Sequence, residues 1–203
     1  CRESTEQSRD EIIDDMKNTG GSFIHIVACP FPPIPGLLPV FGDERLKEIN
    51  DWGFSLCDMM VPNPRSEFIE YGYSPDFGRL KVYPDGRASY FRNIPTRPPG
   101  REPYLSIGWV EGAITRFAKG LTSVFRALGK DGLRFYFYFG TVNCSDITLW
   151  RDIWGGSYNI GFGELKGDIR AEYYSYLYDL RDDFGDLLNA LTKPLLRACG
   201  KDV

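Results

Sequence analysis

The sequence predicts an α+β or α/β fold, a mixed β-sheet of about five to six strands packed by two long amphipathic helices. Three observations carry that prediction. Leu133-Arg134-Phe135-Tyr136-Phe137-Tyr138-Phe139 alternates Leu/Phe on one side with Arg/Tyr on the other, the period of a central strand rich in strand-forming residues. Val110, Ile114, Phe117, Leu121, Val124, Phe125 and Leu128 recur at three- and four-residue steps, which defines one apolar face of a helix over 110 to 128. Tyr173, Tyr176, Leu177, Leu180, Phe184, Leu187, Leu188 and Leu191 extend a similar face over 168 to 191. At 203 residues, 42% hydrophobic and 15% aromatic, the chain can bury a sizeable core, and residues 1–203 are read as one domain.

The elements follow in order. Residues 1 to 21 are polar, with Ser8 capping a short helix, Glu11 three residues on, and Asp10, Asp14 and Asp15 in its first turns, where the helix dipole favours acids. Phe23 to Cys29 is apolar on both faces and predicts a covered strand over 22 to 29. Its His25 is the only histidine of the chain, and a histidine inside an apolar strand points to a hydrogen-bonded core residue rather than a base. The Pro-rich run from Pro30 to Pro35 cannot continue a ladder and predicts an extended crossover. Asp43 to Asn50 predicts a short helix, and a strand is expected over 54 to 60, ended by Pro62-Asn63-Pro64.

Two alternating runs, 79 to 83 and 87 to 92, flank Pro84-Asp85-Gly86, where proline sets the entry dihedral and glycine accepts positive φ, so a hairpin is expected. Pro95 to Pro103 holds four prolines and predicts an exposed loop. Gly129 is the natural end of the first long helix, and Lys130-Asp131-Gly132 turns the chain into the aromatic strand over 133 to 142. Tyr158 to Phe162 can add an edge strand. The run Gly161 to Asp168 has the outline of a phosphate loop, but its spacing fits neither glycine fingerprint, and Asp168 would repel an anion. Pro194 is expected to break the last helix.

Charge and composition bound the function. Lys plus Arg is 24 and Asp plus Glu is 28, and the net charge of -4 with a pI near 5.1 gives no general attraction to phosphate backbones or anionic membranes. No apolar run approaches the ~18 to 20 residues of a membrane span, so the chain reads as soluble. Cys1, Cys29, Cys57, Cys144 and Cys199 are spread widely, which fits neither a zinc knuckle nor a disulfide framework and suits a cytoplasmic protein with Cys29 and Cys57 in its core. A lipid anchor on Cys1 outside the cytoplasm is the alternative.

No pairing of base and nucleophile stands out, so the catalytic residues are unknown and neither metal nor cofactor is expected. The candidate binding residues are Arg79, Lys81 and Arg87, a basic cluster on the hairpin that could touch phosphate, with Arg134, Trp150 and Trp154. The leading expectation is a non-catalytic recognition or sensor module of a larger intracellular protein, with a protein partner or an upstream domain. Nucleic acid is expected to bind only weakly or indirectly. The alternative is a metal-dependent hydrolase or nuclease using carboxylates among Asp10, Glu11, Asp14, Asp15 and Glu44.

Arg2-Glu3-Ser4-Thr5 followed by Ser8-Arg9-Asp10-Glu11-Ile12 resembles the C-terminal end of the Schlafen-type AlbA domain, in which an Arg-x-x-Ser-Thr strand end leads into a Ser/Thr-x-x-Glu-Ile helix start. The resemblance covers about twelve residues. It implies an upstream domain that acts on or binds nucleic acid, with this chain as the region that follows it.

Overall fold

Strand β1, Phe23–Pro30, is buried along all eight residues, as its two apolar faces predict. The computed structural model describes residues 10, 21–38, 47–57, 62–64, 67–72, 78–94, 104–145, 147–152, 159–180 and 183–200. The candidate lipid-anchor residue Cys1, the polar start apart from Asp10 and Gly21, and the Pro-rich stretch 95 to 103 lie outside them. Around β1 are β2 (Asn63–Pro64), β3 (Ile69–Tyr71), β4 (Arg79–Val82), β5 (Ala88–Asn93), β7 (Arg134–Val142) and β10 (Arg170–Tyr176), in the order β10-β7-β1-β5-β4-β3-β2. A second sheet has the order β6-β8-β9, from Tyr104–Ser106, Thr148–Asp152 and Asn159–Glu164. Among the described residues, Asp10 is helical and the helices described over their length are α1 (Lys47–Leu56), α2 (Ile107–Ala127) and α3 (Gly185–Ala198). The class is α+β.

The aromatic strand is where the alternation puts it. β7 pairs antiparallel with β1 in a register that sets Phe139 opposite Ile26 and Tyr138 opposite Val27. One face of the sheet therefore carries Ile24, Ile26, Ala28, Phe135, Phe137 and Phe139, which share a single apolar cluster with Val110, Ile114, Phe117, Leu121 and Phe125 of α2. Ser106 caps α2 by accepting the Trp109 N–H at 3.3 Å, and Gly129, at φ +63, ends its last turn. The hairpin forms as expected: β4 and β5 pair antiparallel, Tyr83 N–H donates to the Arg87 carbonyl at 2.9 Å, and Gly86 takes φ +84.

Four expectations are corrected. Residues 54 to 56 belong to α1 rather than to a strand over 54 to 60, whose last three residues lie outside the described ones. Ile49, Trp52, Gly53 and Leu56 are its buried positions, a three- and four-residue spacing that Gly53 does not interrupt because the Tyr71 ring packs where its side chain would be.

The stretch 168 to 191 is not one helix: it is β10, a 3-10 turn over Leu177–Leu180 and the start of α3. Ala171 and Ser175 are buried while Arg170, Glu172, Tyr174 and Tyr176 are exposed, and pairing of its whole length with β7 favours that two-residue period over the helical one. Pro194 lies inside α3, which continues to Ala198.

The large sheet, finally, is antiparallel throughout its seven strands; the parallel pairing of a mixed sheet occurs in the small one, between β6 and β8.

Candidate recognition surface

The other face of the large sheet carries the candidate residues, and it splits into two regions. On the hairpin side the cations are already engaged. Arg79 ion-pairs with Glu70, and its guanidinium lies 5.2 Å from the Phe91 ring centre. Lys81, buried, stands opposite Glu70 in the register and 4.9 Å from the centre of Phe68. Arg87 covers the Tyr83 ring at 3.9 Å and has the Asp85 carboxylate at 4.0 Å. A buried carboxylate between two cations, each on an aromatic face, makes a self-neutralising structural cluster. Arg79, Lys81 and Arg87 do come together, each beside an aromatic ring, with Glu70 and Asp85 as their carboxylate neighbours.

At the centre of this face, His25 Nε2 lies 3.1 Å from Ser89 Oγ, and its ring meets Tyr138 edge-on at 5.8 Å. Both His25 and Ser89 are 1% exposed. Solvent and substrate do not reach them, so this is a hydrogen-bonded core histidine.

The β7–β10 side is different. Here Phe31, Tyr174, Tyr176 and Tyr178 are 45%, 44%, 42% and 51% exposed, a group of large apolar side chains that the fold leaves open. Tyr174 is held edge-on by Phe31 at 5.8 Å and rests on buried Tyr136 at 4.9 Å, while Tyr176 and Tyr178 stack at 5.3 Å with a 20° interplanar angle. Arg134, exposed and opposite Tyr176 in the register, places its guanidinium 5.4 Å from Tyr174 and 5.9 Å from Tyr176. The Pro-rich crossover reaches this surface too: the Phe31 N–H donates to the Arg134 carbonyl at 2.8 Å.

Arg134 is thus the candidate residue that the structure places on an open surface. Trp150 lies in β8 of the other sheet, half-buried and edge-on to Tyr104 at 6.5 Å, and Trp154 is outside the described residues. The three exposed tyrosines were hidden by the helical reading of 168 to 191; the alternation from Arg170 to Tyr176 was the signal for them.

The other candidates lie apart from this surface. The Gly161 to Asp168 run continues β9 to Glu164 and then feeds β10, so it opens no helix. It borders a depression of about 650 Å³ shared with Ser145 and Cys199. Of the carboxylates considered for a metal, Asp10 is exposed, and Glu11, Asp14, Asp15 and Glu44 lie outside the described residues. Among the described residues, no three His, Cys, Asp or Glu side chains are grouped to hold a metal ion, and no helix is long and apolar enough to cross a membrane. No family model, curated protein or solved structure matches the chain.

Proposed function

We propose that this chain is a non-catalytic recognition module of a larger intracellular protein, and that it takes an extended acidic, proline-containing segment of a protein partner at the β10 end of its large sheet. The observation that carries the reading is the open set Tyr174, Tyr176 and Tyr178 beside Arg134, on the strand that ends the sheet order. Rigid aromatic rings bind proline and aliphatic side chains at low entropic cost, and an arginine over them selects carboxylates. The chain's own Pro-rich crossover supports the choice of ligand, since Phe31, followed by Pro32-Pro33, already packs on Tyr174 and bonds to the β7 backbone.

The test is fluorescence anisotropy with a labelled peptide of about ten residues alternating glutamate and proline. A Kd of roughly 10⁻⁵ to 10⁻⁴ M is expected, weakened by salt and by Arg134→Gln and lost in the Tyr174→Ala, Tyr176→Ala double variant. Equal binding of a lysine-proline peptide, or binding indifferent to the tyrosines, would sink the reading. The same proposal places a nucleic-acid-handling domain of the Schlafen-type AlbA class before this region.

A further inference from the structure

A second feature lies away from the aromatic surface and is independent of it. Helices α1 and α2 enclose a cleft of about 250 Å³ whose walls come from matching three- and four-residue steps: Glu48, Asp51 and Trp52 on α1, and Arg116, Lys119 and Gly120 on α2. At its floor the indole of Trp52 occupies the space a side chain at Gly120 would need, with the Nε1 edge of the ring against that glycine. Trp52 is 2% exposed, yet its Nε1 has no hydrogen-bond acceptor among the described residues. A buried N–H donor left without a partner is uncommon and costly, and here it is closed off against Gly120 beneath the cleft.

The charges on the two walls do not neutralise one another. Asp51 is held by Lys47 on its own helix at 2.5 Å, whereas Glu48, Arg116 and Lys119 make no ion pair among the described residues. A bare oxyanion would meet Arg116 and Lys119 but would share the cleft with two carboxylates. A bare cation would meet the reverse. A small zwitterion satisfies both walls, and the volume suits a ligand of about amino-acid size.

We propose that this cleft is a binding site for a free amino acid, its carboxylate taken by Arg116 and Lys119 and its ammonium by Glu48, over a floor formed by the Trp52 indole. The site then makes the chain a sensor of a small metabolite as well as a partner-binding module.

The experiment is a thermal-shift and tryptophan-fluorescence screen of the whole chain against the common L-amino acids, with inorganic phosphate and methylamine as single-charge probes, followed by titration of any hit. At least one amino acid is expected to bind with a Kd below about 1 mM and to raise the unfolding midpoint. Its amide and its N-acetyl derivative should lose about tenfold or more. Arg116→Gln and Glu48→Gln, on exposed and half-buried helix positions that should leave folding intact, should each weaken binding by about tenfold. The proposal is overturned if no amino acid shifts the midpoint at about 10 mM, or if Glu48→Gln leaves the affinity of a hit unchanged. Neither result bears on the aromatic surface, because Tyr174 and Tyr176 lie on the opposite side of the core cluster from α1.

Discussion

The phenol of Tyr138 lies over Gly140, two residues further along the same strand: a side-chain carbon at 140 would stand 2.5 Å from the Tyr138 hydroxyl oxygen. That position lets the ring meet His25 edge-on and stay 6% exposed on a sheet face that carries no large side chain at 140. Gly140→Ala should therefore push Tyr138 out of its seat and destabilise the fold by about 1 to 3 kcal/mol, measured as a lowered urea midpoint. Because the clash is with this one ring, the same change in a Tyr138→Ala background should cost much less. Equal costs in both backgrounds would show that Gly140 is required for another reason.

The contact between α1 and α2 depends on a glycine in the same way. Any side chain at Gly120 would overlap the Trp52 indole, which also packs on Phe117 with ring centres 5.2 Å apart. Outside such a contact, Gly→Ala in the interior of a helix stabilises by roughly 0.5 to 1 kcal/mol. Here the sign should reverse, with Gly120→Ala losing about 1 to 3 kcal/mol as the helices separate. Gly112, on the same helix with open space around it, is the control: Gly112→Ala should hold or raise the midpoint. A stabilising Gly120→Ala would disprove the packing.

These two glycines show where the sequence was legible and where it was not. Strands β1 and β7, the hairpin and α2 announce themselves, because each has one hydrophobic period with turn residues at its ends. Gly53 and Gly120 carry no such signal, since a glycine whose missing side chain is filled by Tyr71 or Trp52 looks in sequence like a helix breaker. The stretch from Ile169 satisfies both periods: Tyr173, Tyr176, Leu177 and Leu180 suit a helix, while Arg170, Glu172, Tyr174 and Tyr176 suit one face of a strand. Only pairing with β7 decides between them. The candidate surface was lost with that decision. Arg134 alone of it was named from sequence, and the ion pair of Arg79 with Glu70 across β4 and β3 gave no local hint in the sequence.

Two buried acids of high pKa set the alkaline limit of the fold. Burial pushes the Cys144 thiol and the Tyr90 phenol each up to about 12. Unfolded, they release their protons near 9 and 10, so between those values and 12 the folded state holds more protons than the unfolded one, and stability falls as pH rises. The slope approaches about 1.4 kcal/mol per pH unit for each group between its unfolded and folded values, and it fades about a unit below the lower one. Urea midpoints measured from pH 8 to 11 should fall steadily above about pH 9, and Cys144→Ala should flatten the first part of the decline. The same burial predicts that Cys144 resists iodoacetamide in the native protein at pH 8 and reacts on unfolding. Rapid native labelling, or a midpoint level to pH 11, would contradict the placement.

The last prediction concerns nucleic acid. On an RNA-binding sheet, aromatic side chains of a central strand stand open so that bases can stack on them. The corresponding residues here, Tyr136 and Tyr138, are 1% and 6% exposed and closed in by Val27, Cys29 and His25, so that platform is shut. The open tyrosines at the sheet end are a poorer substitute. Tyr176 and Tyr178 already stack on each other, which leaves little open ring face for a run of bases, and one arginine cannot track a phosphate backbone. With a net charge of -4 there is little counterion release to draw on. Single-stranded RNA and DNA should therefore bind no better than ~10⁻⁴ M at physiological salt, as read by anisotropy of labelled oligonucleotides. Micromolar affinity that weakens steeply with salt and is lost in the Tyr174→Ala, Tyr176→Ala double variant would reassign the β10 surface from polypeptide to nucleic acid, whereas the same affinity surviving that change would locate the contact elsewhere on the chain.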